Sequence, residues 1–486
     1  MPNTDSSPSV EHAVLDALAS DADAAAGRRF VDLVSSYFAD AAAERRPVSP
    51  GADPAAVAQR FDEPLPADGR PLDEVISRLA RDVIPQSIAL THPMYLGHQV
   101  SAPLPAAVWS EMLVGALNQS VAVREMSPAA TIIEHRLVRW MAELAGLGDE
   151  AGGTLTSGGT EATFTALAAA RAAALPGAWT RGVGSDPPVV LCGEHAHYAV
   201  TRAVGQLGLG VERAIAIPSH DYRMDPAALA AKLGDLAEAG IAVMAVVATA
   251  GSTPTGSFDD LAAIGELCEG RGIWMHVDGA HGASALLSGT HRARLRGIER
   301  ARSVAWDPHK MMLLPLSAGM VLVRDRRDLD AAFVQRAPYL FHGADDAFDW
   351  DQGKRSFLCS RRADALKLWI ALQRYGARGI GALYDRLCAL AVALHERVTA
   401  HPRFVALHVP ETNILCFRYV GSRAPDDPAL DEINRALRER YNASGEGWIT
   451  TTVVEGRRVL RVTVMNPLTT EAHLERLLDG LERTAG

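Results

Sequence analysis

Helical and strand-like apolar patterns succeed one another along this chain in an order that marks three regions. From residue 8 to about 90, alanine-rich helical patterns are broken by loops such as Arg46-Pro-Val-Ser-Pro-Gly-Ala-Asp-Pro54, without strand signals. Long helices are expected around 104–146, and a second alanine-rich helix over 157–174 follows a glycine-rich turn. Short apolar runs then alternate with helices: Val189 to Cys192, Val243 to Ala248, Ile273 to Val277 and Met320 to Val323. That alternation predicts an α/β fold whose mostly parallel central sheet carries helices on both faces. After a helical stretch from Arg362 to Tyr375 the pattern changes. Phe404 to Leu407, Ile414 to Phe417 and Val459 to Val464, separated by helices, predict a smaller α+β unit with an antiparallel sheet. We therefore divide the chain into an N-terminal helical arm (1–103), a large α/β domain (104–380) and a small C-terminal α+β domain (381–486).

Composition narrows the function. With 48% hydrophobic and 22% charged residues, the 486-residue chain is ordinary for a globular protein. A net charge of −10, with no stripe rich in lysine and arginine, argues against a nucleic-acid partner. The longest strongly apolar run, Ile241 to Ala250, is far short of the roughly 20 residues a membrane helix needs, so no membrane partner is expected. Cys192, Cys268, Cys359, Cys388 and Cys416 are odd in number and lack CxxC spacing. They suggest neither a disulfide framework nor a zinc site, and with a polar N-terminus they point to a cytoplasmic protein. His195 and His197 have no evident cysteine or carboxylate partners for a metal, so none is expected.

Candidate chemistry centres on Lys310, in the run Ser303-Val-Ala-Trp-Asp-Pro-His-Lys310, about thirty residues after Ile273-Trp-Met-His-Val-Asp278. A lysine amine can hold the aldehyde of pyridoxal 5'-phosphate as a Schiff base, while an aspartate at a strand end pairs with the protonated pyridine nitrogen. Lysine is otherwise scarce: Lys232, Lys354 and Lys367 complete the set, and each reads as structural. Thr156-Ser-Gly-Gly159-Thr160 precedes a helix, and the amides of Gly159 and Thr160 can cap a phosphate there, although the same turn also serves as an ordinary helix cap. His197 follows one strand, Thr253 another, and Asp278, Ala280 and Lys310 others. All these candidates converge on the carboxyl edge of the expected sheet, where ligands of open α/β sheets gather.

From about His92 to Pro467 the chain resembles the group II pyridoxal-phosphate amino-acid decarboxylases, whose members act on glutamate, cysteine sulfinate, aspartate, diaminobutyrate or aromatic amino acids. His276-Val-Asp278-Gly-Ala280 resembles that family's HVDAA segment, and Asp307-Pro-His309-Lys310 its N/D-P-H-K motif. The resemblance implies a fold-type I architecture and a homodimer with active sites at the interface. It further implies that Asp278 pairs with the pyridine nitrogen, that Ala280 and His197 enclose the ring, that Gly159 and Thr160 hold the phosphate, and that His309 and Thr253 contact the cofactor. Ala337-Pro-Tyr339-Leu-Phe-His resembles a mobile loop whose tyrosine, here Tyr339, protonates the substrate carbon, usually from the neighbouring subunit. Arg461, in Val459-Leu-Arg461-Val-Thr-Val, matches the arginine that grips the substrate α-carboxylate.

The likeness is looser around the substrate. Gly279 stands in place of a common alanine, and His281 where tyrosine is frequent. His98, Gln99, Ser120 and Cys359 are the substrate-pocket candidates, in segments that match the family only loosely. Arg124, Arg361 and Arg362 either favour an acidic substrate or pair with carboxylates such as Glu125 and Asp364 in the scaffold. The expected reaction is α-decarboxylation of an L-amino acid to an amine and carbon dioxide. Transamination, aldehyde synthesis or another lyase reaction on the same scaffold, and a catalytically silent binding subunit, are the alternatives.

Overall fold

The computed structural model describes residues 10–334, 337, 339–341 and 350–486. Its strands, in chain order, begin with β1 (Gly152–Thr156), β2 (Val189–Gly193), β3 (Ala214–Ile217) and a short hairpin, β4 (Ser219–His220) with β5 (Arg223–Met224). They continue with β6 (Val243–Thr249), β7 (Trp274–Asp278), β8 (Ser303–Trp306) and β9 (Gly319–Val323). A seven-stranded sheet runs in the order β1-β9-β8-β7-β6-β2-β3. The pairs β2/β3, β2/β6, β6/β7 and β7/β8 are parallel. β9 is antiparallel to both neighbours, so Met320 to Val323, which the sequence pattern groups with the parallel strands, runs the other way. The reason is local: from Trp306 the chain passes through the Lys310 turn and returns beside β8, with no crossover helix between them to restore direction.

Alternate side chains of the central strands feed two apolar layers. Val246, Ala248, Met275 and Val277 pack on one face, while Ala245, Val247 and Trp274 pack on the other against Ala162, Ala166 and Ala169 of the helix Gly159–Ala174. Burial on both faces explains why these strands read as continuous apolar runs rather than as alternation. The alanines let that helix approach the sheet closely.

A second sheet is antiparallel, in the order β10 (Phe404–Ala406), β11 (Ile414–Tyr419), β13 (Arg457–Thr463), β12 (Thr450–Val454). The helix Ala365–Ala400 connects the two sheets and is interrupted at Gly376, whose φ of 68° lies in the left-handed region that glycine tolerates. The described residues before 104 are helical only in part. Helices Val10–Asp21, Ala24–Ala42, Pro54–Phe61 and Leu72–Arg78 occupy the first part, but residues 91–102 follow turns and bends against the C-terminal domain, with one bridge between Tyr95 and Trp448. Leu96 N donates to Trp448 O at 2.8 Å, Thr463 N to Leu96 O at 3.0 Å, and Asn466 Nδ2 to Thr91 O at 2.9 Å. Those bonds depend on partners over three hundred residues away, which no local pattern records.

Below the carboxyl end of β7, His276 is fully buried. Trp274 Nε1 donates to Ser303 Oγ, and His276 Nδ1 shares a hydrogen bond with the same hydroxyl, with both distances 2.8 Å. Burial pushes the His276 pKa down to about 4. A base with a depressed folded pKa stabilises the fold above its unfolded value, and that contribution is lost as pH falls through the window from about 6.5 to about 4. Thermal unfolding should therefore drop in midpoint between pH 7 and pH 5, and the drop should be smaller by about 2 °C or more in His276→Gln. Equal drops in the two proteins would clear His276 of this role.

Candidate active site

A cavity of about 590 Å3 opens at the carboxyl ends of β6, β7 and β8. Parallel register builds it. Thr249 at the end of β6 lies opposite Asp278 at the end of β7, which lies opposite Ala305 of β8. Each strand therefore releases its next few residues at the same level. From β2 comes His197, from β6 Gly251 and Thr253, from β7 Ala280 and His281, and from β8 Asp307, His309 and Lys310. Ser157, Gly158, Gly159 and Thr160 close another side at the start of the helix Gly159–Ala174.

Lys310 Nζ lies 3.4 Å from Asp307 Oδ2, and His309 Nε2 lies 3.5 Å from the same oxygen. Asp307 is almost completely buried, and its Oδ1 has no partner. Asp278 Oδ1 accepts from Ala280 N at 3.2 Å, which fixes the carboxyl at the strand end. His197 Nδ1 accepts from Ala199 N at 3.2 Å, and His309 Nδ1 accepts from Ala318 N at 3.2 Å. Burial lowers the pKa of both histidines, with the Lys310 charge adding to it. Both rings are neutral near pH 7 as a result, with the proton on Nε2.

Gly159 and Gly158 keep the cradle open. A Cβ on Gly159 would stand 2.8 Å from Ala280 Cβ and 3.0 Å from Asp307 Oδ2, and one on Gly158 would stand 3.1 Å from His309 Cε1. Gly319 on β9 is required for the same reason, since its Cβ would meet Gly158 Cα at 2.5 Å. The first-turn amides of the Gly159–Ala174 helix lack intrahelical acceptors by construction and lie at the positive end of its dipole. Among the residues that line the cavity, Asp307 Oδ1, Thr249 Oγ1, His281 Nδ1 and Gln99 Nε2 are buried without partners. Such atoms are costly unless a polar ligand engages them. An anion cradle, a carboxylate, a lysine amine and a flanking imidazole in one cavity fit pyridoxal 5'-phosphate part by part.

The structure brings together Gly159, Thr160, His197, Thr253, Asp278, Ala280, His309, Lys310, His98 and Gln99. Arg461 stands directly behind: Nη1 donates to Thr253 O at 2.8 Å and Nε to Thr450 Oγ1 at 3.2 Å. Burial lowers its pKa. Arg461 is therefore beside the cavity rather than in its lining, and three more candidates lie farther outside it. Tyr339 is 83% exposed, Cys359 is exposed, and Ser120 accepts weakly from Ala122 N and Arg361 N at 3.4 Å. Arg361 is a scaffold residue: its guanidinium forks onto Glu134 at 2.7 and 2.9 Å, both buried. Arg362 pairs with Glu111 at 2.6 Å and Asp364 at 3.6 Å. Asp307, Tyr198, Thr249 and His281 line the cavity without having been singled out from the sequence as site residues. For Asp307 the signal was present, inside the Asp-Pro-His-Lys motif.

Among the described residues, no group of three or more His, Cys, Asp or Glu side chains could hold a metal ion, and no helix is long and apolar enough to cross a membrane.

Comparison with known proteins agrees with this geometry. The sequence model of the pyridoxal-dependent decarboxylase conserved domain matches residues 54–420. The chain is 35% identical over 427 residues to L-2,4-diaminobutyrate decarboxylase of Rhizobium meliloti (strain 1021), covering 87% of this chain and 84% of that one. It is 32% identical over 445 residues to mouse cysteine sulfinic acid decarboxylase, covering 88% and 89%. The crystal structure of Oryza sativa TDC with PLP and tryptamine superposes with a TM-score of 0.89 at 27% identity, covering 96% and 98%.

The Gly159→Ala substitution should weaken binding of pyridoxal 5'-phosphate by about 10-fold or more while leaving the circular dichroism spectrum intact, because the methyl collides with two walls of the cradle. An unchanged dissociation constant in an absorbance titration would remove Gly159 from the cofactor site.

Proposed function

The chain belongs to the pyridoxal-dependent decarboxylase family and is an amino-acid decarboxylase that uses pyridoxal 5'-phosphate, and from that premise we propose which of its residues carry the reaction. Lys310 would hold the cofactor through its aldehyde, with Asp278 to pair with the pyridine nitrogen, Ala280 and His197 to enclose the ring, and the Gly159–Thr160 amides with His309 to take the phosphate. Thr253 would contact the cofactor as well. When bound, the cofactor supplies the electron sink that accepts the pair left by departing carbon dioxide. The observation that carries this assignment is the convergence of Lys310, Asp278, His197 and the Gly159 helix start in one cavity.

The remaining residues act on the substrate. Arg461, held from behind by Thr253 and Thr450, binds the α-carboxylate and orients the bond to be broken, with His98 and Gln99 bordering the same space. Holding that bond in one orientation selects loss of carbon dioxide over loss of the α-proton. Tyr339 delivers a proton from Oη to the substrate Cα, and its exposure supports delivery into the cavity of a second copy. The active form is accordingly a homodimer, with Ser120 and Cys359 near the shared entrance, and it works in the cytoplasm. Arg361 and Arg362 are engaged by scaffold carboxylates, which leaves Arg124 of the three arginines that the sequence offered for an acidic side chain. The 35% identity to an L-2,4-diaminobutyrate decarboxylase supports L-2,4-diaminobutyrate as the substrate, ahead of cysteine sulfinate.

Borohydride reduction of the holoenzyme followed by peptide mapping should place the label on Lys310; label elsewhere overturns the assignment. In a panel of amino acids, carbon dioxide release should be fastest with L-2,4-diaminobutyrate, and turnover of acidic substrates alone would refute the substrate reading. Arg461→Lys should lower kcat/KM on the order of 10²-fold, because an ammonium cannot fork onto a carboxylate. Tyr339→Phe should divert product from amine to aldehyde, with the substrate amino group left on the cofactor as its amine form, and an unchanged amine yield would exclude Tyr339 as the proton donor.

A further inference from the structure

Three buried hydroxyls lie in the turn between β6 and the helix Leu261–Glu269, and the roles above use none of them. Thr255 Oγ1 lies 2.9 Å from Ser252 Oγ and 2.8 Å from Ser257 Oγ, and Ser252 Oγ accepts from Ser257 N at 3.2 Å. A hydroxyl has one hydrogen and two lone pairs, so Thr255 can donate to one serine and accept from the other. Main-chain bonds close the same turn: Gly256 N donates to Ser252 O at 2.8 Å, and Ser252 N to Ser257 O at 2.9 Å. The turn is wedged against the small domain. A Cβ on Gly256, whose φ of 75° lies in the left-handed region, would collide with Thr412 Oγ1 and stand 3.4 Å from Ile414 Cβ at the start of β11.

Two consecutive carbonyls of the turn meet the C-terminal sheet. Arg461 Nη1 donates to Thr253 O at 2.8 Å, and Cys416 Sγ donates to Pro254 O at 3.2 Å. Cys416 of β11 and Thr450 of β12 stand directly opposite Arg461 of β13, one on each side, so the three form a single row across the sheet. Thr450 Oγ1 takes Arg461 Nε at 3.2 Å. Burial pushes the Cys416 pKa up to about 12, which keeps its thiol a donor. The planar guanidinium is thus held at two points, by Thr253 O and Thr450 Oγ1, while its Nη2 makes no hydrogen bond among the described residues. A rigid fork held in this way turns with its acceptors, so the position of Thr253 O sets where Nη2 points.

We propose that Thr255 is a positioning residue for Arg461: by tying Ser252 to Ser257 its hydroxyl fixes the turn that carries the Thr253 carbonyl, and that carbonyl aims the open Nη2 end of the guanidinium at the substrate α-carboxylate. The inference rests on Arg461 being the carboxylate-binding residue. Thr255 does not line the cavity, so it acts only through the turn. Without its hydroxyl the two serines lose their link, and the turn gains freedom to shift the carbonyl on which Arg461 leans. The consequence is confined to molecules that carry an α-carboxylate, since only they meet Arg461.

The test compares, in the full-length holoenzyme, KM for L-2,4-diaminobutyrate with the inhibition constant of 1,3-diaminopropane, the amine left when that amino acid loses carbon dioxide. Should another amino acid be turned over faster, it and its own amine form the pair. The amine has no carboxylate and does not report on Arg461. Thr255→Val, which keeps the shape and removes the hydroxyl, should raise KM about 10-fold and leave the inhibition constant of the amine unchanged. Thr255→Ser, which keeps the hydroxyl, should return KM to the native value. A purely structural role would lower the melting midpoint or the amount of cofactor bound, and would shift the two constants together or neither. An unchanged KM in Thr255→Val, a parallel change in both constants, or a Thr255→Ser enzyme as impaired as Thr255→Val overturns the proposal. Should Thr255→Val not fold, Ser257→Ala, which breaks one of the two hydroxyl links, is measured in the same way: a raised KM with an unchanged amine constant supports the proposal, and an unchanged KM overturns it. Arg461→Lys separates the premises. If it too leaves KM unaltered, the carboxylate-binding reading of Arg461 has failed, whereas a KM raised in Arg461→Lys and not in Thr255→Val fails the positioning role of Thr255 alone.

Discussion

The register of three parallel strands is the constraint on which the site depends. Thr249, Asp278 and Ala305 stand side by side at the ends of β6, β7 and β8. A slip of one residue in β7 would turn Asp278 to the opposite face of the sheet and take Ala280 and His281 with it. What resists that slip is the double burial of the strand. Met275 and Val277 fill one layer, Trp274 fills the other, and the Trp274–Ser303–His276 hydrogen bonds pin β7 to β8 below the cavity. The chemistry sits on the edge of an element that is held rigid from both sides, which keeps its groups in place without a ligand.

Buried charge in this protein divides into two kinds. In the scaffold each charge stands against an opposite one. Arg361 forks onto Glu134, and Lys367, with no exposed surface, is met by Ser317 O at 2.6 Å, Glu111 at 2.9 Å and Asp364 at 3.0 Å. Removing one member of such a set would strand the others in a low-dielectric interior. At the cavity the matching is incomplete: Asp307 Oδ1, Thr249 Oγ1 and His281 Nδ1 wait for partners.

Histidine neutrality is a second theme. His197, His276, His281 and His309 all have pKa values lowered chiefly by burial. Around Lys310 and Arg461, protonated imidazoles would add positive charge where two cations already stand. As neutral rings they can flank an aromatic cofactor and accept hydrogen bonds, as backbone amides do to His197 and His309.

Much of this was legible in the linear sequence. Runs buried on both faces are apolar throughout, so the parallel core announced itself, as did Lys310 and Asp278, because a motif a few residues long is continuous at a strand end. The alanine-rich helix after Gly159 was likewise readable from its own composition. Tertiary structure decided the rest. The reversed direction of β9, the attachment of residues 91–102 to the C-terminal sheet, the diversion of Arg361 to Glu134, and the exposed placement of Tyr339 all depend on which distant segment lies alongside. His281 is the sharpest case: its Nε2 hydrogen-bonds at 2.7 Å to Asn413 Oδ1, 132 positions away. Local pattern reports what each segment buries, whereas only packing reports which donor meets which acceptor.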